Sequence, residues 1–342
     1  MAELVAALPG DGIGPEVTEQ AVRVLERLPV DVEVVQLPFG GAAIDELGEP
    51  LPESTLAACR ESRAVLLGAV GGPKWGTGSV RPEQGLLGLR KELDVYANVR
   101  PATLAGIDMV IVRELVGGLY FGARGTREDG TVFDTCEYTP AQVERVVRRG
   151  FELARTRRRS LVSVDKANVL DTSRLWRRVA TEVAADYPDV DVRHALVDSF
   201  AMEIVSSPEQ IDVVVTENMF GDILSDIAAA VTGGLGLAAS ASLGDGGPGI
   251  FEPVHGSAPD IAGTGAANPA AMLRSVALLL EHALGRRDLA TVLRETVDEV
   301  LVTHPTPDAG GTATTASFGD AVLASLDRRI PLEERAWATT PS

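Results

Sequence analysis

Short apolar runs rich in Val, Ile and Leu recur along this 342-residue chain, separated by stretches in which apolar positions return every three or four residues. Glu3–Leu8, Val32–Leu37, Ala64–Ala69, Met109–Val112, Leu161–Val164, Asp191–Val197 and Ile211–Val215 read as strands. Helical spacing follows the Gly10–Glu16 loop to about Arg27, and reappears over Gly85–Glu92, after Thr139 and after Glu217. The clearest helix start is at Thr139, where Pro140 takes the first helical position and Gln142 completes a capping box. Its apolar face is Val143, Val146, Val147, Gly150, Phe151 and Ala154. From about Pro269 to Leu326 the pattern is mostly helical. Strands alternating with helices predict an α/β fold. No repeat, low-complexity tract or Pro/Ser-rich linker marks a domain boundary.

A chain of this length is expected to form two domains. Its formal charge of −18 argues against nucleic acid or an anionic membrane as partner, although a cleft can oppose the net field. Two cysteines, Cys59 and Cys136, are expected to stay reduced in the cytoplasm. Together with four His in no ligand spacing, they make a structural zinc site an unfavoured reading. No secretory pattern opens the chain. The longest uncharged stretch, Ile227 to Gly244, is too rich in Gly, Ser, Thr and Ala for a membrane span, so a soluble protein is expected.

Chemistry concentrates first in Thr216–Asp226. Asp222 and Asp226 stand four apart, so both carboxylates lie on one helical face and repel one another. A hard divalent cation, Mg²⁺ or Mn²⁺, would relieve that repulsion; an acidic first turn facing the helix dipole would produce the same spacing. Of 31 basic residues three are Lys, leaving 28 Arg. Arg cannot lose its proton, so Lys166, in Ser163-Val164-Asp165-Lys166-Ala167-Asn168 at a strand end, is a candidate base. Such a role requires its pKa to fall from ~10.4 to roughly 7–8; a solvated loop Lys is the plainer reading. Arg90, Arg100 and Arg113, with Tyr120 beyond, suggest a clamp for a dicarboxylate.

Two loops compete for a nucleotide. Gly10-Asp11-Gly12-Ile13-Gly14-Pro15 lacks the third Gly of a dinucleotide fingerprint, so it reads as a tight strand-to-helix turn and not as a Rossmann motif. The small residues of His255-Gly256-Ser257-Ala258-Pro259-Asp260, then Asn268, can wrap phosphates with backbone N–H groups, and Asp260 could accept from a ribose. As a pattern alone this is equally a structural loop. Between His194 and Leu273 there is no Lys or Arg to pair a 2′-phosphate, which favours NAD over NADP.

Taken in order from Leu8-Pro9-Gly10-Asp11-Gly12-Ile13-Gly14-Pro15-Glu16 almost to the C-terminus, these motifs resemble the metal-dependent decarboxylating β-hydroxyacid dehydrogenases, the family of isocitrate and isopropylmalate dehydrogenases. The resemblance implies a two-domain α/β fold distinct from Rossmann, with 1–95 plus 233–342 as the nucleotide-binding domain. It implies that 96–232 forms the substrate, metal and dimerisation domain of a homodimer with shared active sites. It places Asp222 and Asp226 on Mg²⁺ or Mn²⁺, with Asp198 from the other subunit. Lys166, also from the other subunit, becomes the base for the substrate hydroxyl, with Asn168 nearby, and Tyr120 the acid that protonates the enol. Arg90, Arg100 and Arg113 become carboxylate clamps, while Ile13, His255 to Asp260 and Asn268 hold NAD. Glu83, Leu86 and Leu87 become the specificity face, whose leucines suit an isopropyl group and would leave a third carboxylate unpaired. The implied reaction is oxidative decarboxylation of 3-isopropylmalate to 2-oxoisocaproate in leucine biosynthesis. The same chemistry on tartrate, homoisocitrate or malate is the alternative, and a non-catalytic anion-binding homologue is a further one. Two departures stand out: the stretch from Pro101 to Val112 is shorter than usual, and Glu217 stands where many members of the family have a smaller residue, for no reason visible in sequence. The arm from Phe121 to Tyr138 is too variable to read.

Overall fold

Burial along their whole or central length makes β1 and β3 interior strands, whereas the half-exposed second apolar run lies at the sheet edge. The computed structural model describes residues 2–76 and 78–330. Strand β1 (Glu3–Gly10) leads through a tight turn into helix α1 (Gly14–Arg27), and the chain continues through β2 (Val32–Gln36), α2 (Gly40–Leu47), α3 (Glu53–Glu61), β3 (Ala64–Ala69) and α4 (Pro82–Glu92). The turn after β1 needs glycine: Gly10 has φ +69°, and a Cβ there would stand 2.0 Å from the Ala69 carbonyl oxygen.

A hairpin of β4 (Ala97–Leu104) and β5 (Ile107–Glu114) follows, then β6 (Arg124–Thr126) and β7 (Val132–Asp134), α5 (Pro140–Arg155), β8 (Ser160–Asp165) and α6 (Asp171–Ala184). Next come β9 (Asp191–Leu196), α7 (Val197–Ser206), β10 (Val213–Thr216) and α8 (Asn218–Val231). The last part contains β11 (Ala239–Leu243), β12 (Gly249–Pro253), α9 (Ala270–His282), α10 (Arg287–Thr303) and α11 (Thr315–Arg329). The chain divides into two compact units, 1–93 with 235–342 and 94–234.

In the first unit the strand order is β2-β1-β3-β12-β11, parallel as far as β12 and closed by an antiparallel β11. Helix α9 buries residues nearly all round and packs on β12 and β11, while α10 and α11 stack outside it. Asp11 organises the loops at the strand ends. Its buried carboxylate accepts from Gly41 N (2.9 Å), Ala42 N (2.8 Å) and Gly71 N (2.8 Å), so one side chain starts α2 and fixes the turn after β3.

In the second unit the order is β4-β5-β10-β8-β9. The pleat sends Val112, Val213, Val215 and Leu161 to a face covered by α5 and α6, with Trp176 and Phe151 among them. Ile111, Val214, Val162 and Val164 go to the opposite face, against Phe200 and Ile204 of α7 and Leu224 of α8. The predicted cap of α5 forms: Thr139 Oγ1 accepts from Gln142 N (3.2 Å) and Gln142 Oε1 from Thr139 N (2.9 Å), an arrangement worth about 1 kcal/mol. The short Pro101–Val112 stretch is the β4–β5 hairpin itself. Leu104 pairs with Ile107 across a two-residue turn whose Gly106 has φ +85°. The strand β4 is missing from the sequence reading because Arg100-Pro101 breaks its apolar run; it forms through pairing with β5, from Ala97 opposite Glu114 to Leu104 opposite Ile107.

Replacing Asp11 by Ala leaves three backbone donors without their acceptor. At about 1–3 kcal/mol each where water cannot reach, Asp11→Ala should lower the unfolding free energy of the first unit by at least about 3 kcal/mol in urea titration. Asp11→Asn, which keeps one acceptor oxygen, should lose clearly less.

Candidate active site

Parallel strands β5 and β10 end side by side, with Arg113 opposite Thr216, and the loops beyond them hold the main cluster. Arg113 is 2% exposed. Its Nε and Nη2 donate to Asn218 Oδ1 at 3.0 and 2.8 Å, and its Nη1 forms an ion pair with Asp222 Oδ1. Arg100, also buried, donates from Nε to Asn98 Oδ1 (2.6 Å) and from Nη1 to Ser225 Oγ (2.7 Å). The same Nη1 stands 3.6 Å from Asp222 Oδ1 and 3.8 Å from Asp226 Oδ1. Tyr120, in a single helical turn over Gly118–Tyr120, donates its hydroxyl to Asp222 Oδ2 (2.9 Å). The Arg113 guanidinium lies over the Tyr120 ring, 5.6 Å from its centroid.

Two buried cations thus face two half-exposed carboxylates beside a phenol. Burial, then the hydrogen bond to Asp222, pushes Tyr120 up to about 12, so the hydroxyl keeps its proton at neutral pH. Burial also raises Asp226, with Arg100 opposing and Asp222 reinforcing the shift. All of Asp222 and Asp226's acceptors are hard oxygens, the donor chemistry that Mg²⁺ or Mn²⁺ requires. Gly221 is required by Arg113: a Cβ there would lie 2.6 Å from Arg113 Cγ.

The structure supplies the missing account of Glu217. It is the N-cap of α8, accepting from Phe220 N at Oε1 (2.9 Å) and from Met219 N at Oε2 (3.3 Å). Its Oε2 also accepts from the Tyr138 hydroxyl (3.1 Å). A shorter cap residue could hold the helix N-terminus but could not reach Tyr138.

Lys166 and Asp198 meet elsewhere in the unit. Lys166 Nζ is 2.7 Å from Asp198 Oδ1, which holds the Asp198 carboxyl below its usual range. Buried Asp165 fixes this strand end, accepting from Ala167 N (2.8 Å) and from both Nε and Nη2 of Arg177 (2.8 and 2.9 Å). Asn168 and Val169 follow on an exposed loop. Among the described residues no three His, Cys, Asp or Glu side chains stand close enough to hold a metal together, so Asp198 does not join Asp222 and Asp226 within one chain.

In the first unit, Arg90 is buried and its Nη2 pairs with Glu252 Oε1 at 2.8 Å, leaving the buried Nε without a hydrogen-bond partner. Leu86 and Leu87 are half-buried on α4, and Glu83 is exposed near Gly71. The glycine turn and the late loop touch: Ile13 N donates to Ser257 O (2.8 Å), and a Cβ on Gly12 would stand 2.0 Å from that oxygen. Ala258 holds φ +39°, ahead of the turn Pro259–Ile261 that carries Asp260. His255 Nδ1 lies 2.9 Å from Gly256 O, while Nε2 is buried and unpartnered; burial lowers the pKa of this imidazole. Asn268 bridges Asp308 (3.1 Å) and Ala270 N (2.9 Å). No Cβ obstruction exists within 4 Å at Gly256 or Gly263. An orphaned imidazole nitrogen in an open, backbone-rich loop fits a nucleotide.

Sequence reasoning missed Asn218, Ser225, Glu114, Tyr138 and Glu252 as members of these clusters. Glu252 carried a signal, being a lone charge in the apolar run Ile250-Phe251-Glu252-Pro253.

A family model described as isocitrate/isopropylmalate dehydrogenase matches residues 4–322. A 3-isopropylmalate dehydrogenase of Halalkalibacterium halodurans is 48% identical over 361 aligned positions, which span 96% of this chain and 99% of that one. A 3-isopropylmalate dehydrogenase of Priestia megaterium is 52% identical over 90% of both chains. Among solved structures, an isocitrate dehydrogenase from Methylococcus capsulatus superposes with a TM-score of 0.89 at 37% identity, covering 95% of this chain and 99% of that one. A β-decarboxylating dehydrogenase from Thermococcus kodakarensis gives 0.85 at 40%, covering 98% of each.

Glu114, next to Arg113, is fully buried and accepts from Val116 N (3.0 Å) and Gly117 N (2.9 Å). Burial pushes its carboxyl up to about 7 from 4.5, against those donors, Arg145 and Tyr138. The native state therefore binds this proton more tightly than the unfolded chain. Its contribution is complete below about 4.5 and is lost as pH rises through about 7. Urea titrations at stepped pH should show a fall on the order of 3 kcal/mol across that window, and Glu114→Gln should flatten it.

Proposed function

The chain belongs to the isocitrate/isopropylmalate dehydrogenase family, and from that premise we propose that it catalyses the NAD-dependent oxidative decarboxylation of 3-isopropylmalate to 2-oxoisocaproate, a reaction of leucine biosynthesis. The observation that carries this reading is the convergence of Arg100 of β4, Arg113 of β5, Tyr120 of the turn after it, and Asp222 and Asp226 of α8. The substrate assignment is supported by curated relatives of that name at about half identity and by Leu86 and Leu87, which leave a third carboxylate no partner.

In this reading the second unit binds substrate, metal and a second copy of the chain, and the first binds NAD through Ile13, His255 to Asp260 and Asn268. Asp222 and Asp226 would hold Mg²⁺ or Mn²⁺ together with Asp198 of a second copy. When bound, NAD supplies the hydride acceptor and the divalent cation a Lewis acid at the C2 oxygen. Arg113 and Arg100 exchange their carboxylate partners for those of the substrate, gripping them through planar forks already oriented by Asn218, Asn98 and Ser225. Lys166 of a second copy, near its Asn168, takes the C2 hydroxyl proton as the alcohol becomes a ketone. That ketone is β to a carboxylate, so CO₂ departs and an enol remains. Tyr120, which keeps its proton at neutral pH, delivers it to carbon. In the first unit, Arg90 offers a third guanidinium for a substrate carboxylate, and Glu83, Leu86 and Leu87 form the specificity face.

A homodimer is supported by the outer face of α7 and α8, where Met202 (72% exposed), Val205 (62%) and Ile223 (54%) stand in water on helices otherwise packed into the core. No described helix is long and apolar enough to cross a membrane; a cytoplasmic location belongs to the same proposal.

NADH formation with Mg²⁺ should proceed on 3-isopropylmalate with kcat/KM at least about a hundredfold above isocitrate or malate, the equivalent of roughly 3 kcal/mol. A chelator should abolish it, and Mg²⁺ should raise the melting temperature of the wild type but not of Asp222→Asn. Preference for another hydroxyacid would retain the chemistry and overturn the roles of Leu86 and Leu87.

A further inference from the structure

Arg113 and Tyr120 are separated by seven residues; Glu114 of β5 ties the turn between them at Val116 N and Gly117 N, and both side chains meet Asp222. A further tie, between this turn and the start of α8, comes from Tyr138, just before α5. Its hydroxyl donates to Glu217 Oε2 (3.1 Å) and accepts from the backbone N–H of Asn218 (3.0 Å). Its ring lies close against the turn that leads to Tyr120. A Cβ on Gly118 would be 2.2 Å from the Tyr138 hydroxyl oxygen, and one on Gly117 2.7 Å from Cε1. Edge-on packing against Trp176, with centroids 6.1 Å apart at 73°, holds the ring from behind.

From this one side chain the contacts run both ways. Asn218 Oδ1 takes Arg113 Nε and Nη2, and Asn218 Nδ2 donates to Gly117 O (3.0 Å). Gly117 N is held by Glu114, the residue after Arg113. Glu217 caps the helix that bears Asp222, the acceptor of both Arg113 and Tyr120. We propose that Tyr138 and Glu217 are positioning residues that set the Arg113 guanidinium and the Tyr120 hydroxyl in register for the reaction. Neither reaches the reacting atoms; each acts through the Asn218 amide and the Gly117–Gly118 turn. The inference rests on the roles proposed above for Arg113 and Tyr120, and it assigns a reason for a glutamate at the N-cap, where a shorter side chain would suffice for the helix alone.

The test uses Tyr138→Phe, which keeps the ring, and Glu217→Gln, which keeps the Oε1 cap but removes the oxygen that accepts from Tyr138. In Tyr138→Phe, KM for 3-isopropylmalate should rise about tenfold and kcat fall about tenfold, as misplacement by a fraction of an ångström does. KM for NAD should stay within about twofold, because its proposed residues lie in the other unit. Glu217→Gln should move the same parameters by less. Independently of turnover, amide exchange at 117–120 and 218–220 should quicken at least about tenfold in Tyr138→Phe. A drop in kcat with both KM values unchanged would reveal a merely structural loss of active enzyme and overturn the proposal. Unchanged exchange at both segments would overturn it as well. Should the wild type fail on 3-isopropylmalate, the substrate reading falls, and the exchange comparison alone then decides for or against the positioning role.

Discussion

A guanidinium as enclosed as that of Arg113, 2% exposed at the end of an interior strand, is tolerable only where oxygen acceptors surround it. The second unit is arranged to meet that demand. Asn218 and Asp222 must lie one helical turn apart and face β5, which fixes the rotation of α8 about its own axis. Gly221 must lack a side chain for the helix to come close enough. Once that rotation is set, Asp226 follows on the same face, toward Arg100, and Ser225 falls within reach of the same guanidinium. The acidic pair therefore points into the site as a consequence of satisfying a buried cation. A substrate carboxylate or a metal ion would find the charges already oriented, with little reorganisation left to do.

Buried polar side chains do similar work in the first unit. Asp11 satisfies three backbone donors from two segments and so fixes loops that no strand pairing holds. Ile13 and Ser257 join the glycine turn to the late loop through one backbone bond at a place where only glycine fits beside it. Arg90 and Glu252 hold each other in register across 162 residues of sequence. In both units, then, strands and helices are set by apolar burial, while the site walls are set by a few enclosed charges that admit one arrangement. The cost of enclosing them is offset by hydrogen bonds, and this makes the arrangement specific.

Much of this was legible in sequence because its causes are local. Thr139, Pro140 and Gln142 announce the start of α5, and Val143 to Ala154 its buried face, since capping and helical periodicity involve neighbours along the chain. Asp222 and Asp226 could be placed on one face from their spacing alone. Lys166 could be placed at a strand end because β8 is a plain apolar run. The hairpin of β4 and β5 was not legible, because Arg100 and Pro101 interrupt its pattern and only cross-strand pairing with Met109–Ile111 makes it a strand. Glu217 was opaque for a related reason: its second function depends on Tyr138, which lies 79 positions away.

By itself, the sequence determined those strands and helices whose apolar pattern is unbroken, which face of them is apolar, and which residue types are available for chemistry at the strand ends. These follow from periodicity, capping and the fixed chemistry of side chains. Tertiary structure alone decided the partners: Arg113 with Asn218 and Asp222, Arg90 with Glu252, Tyr138 with Glu217, Lys166 with Asp198. A charge shows its type in sequence, but its energy and direction depend on what surrounds it after folding, and those neighbours come from distant parts of the chain.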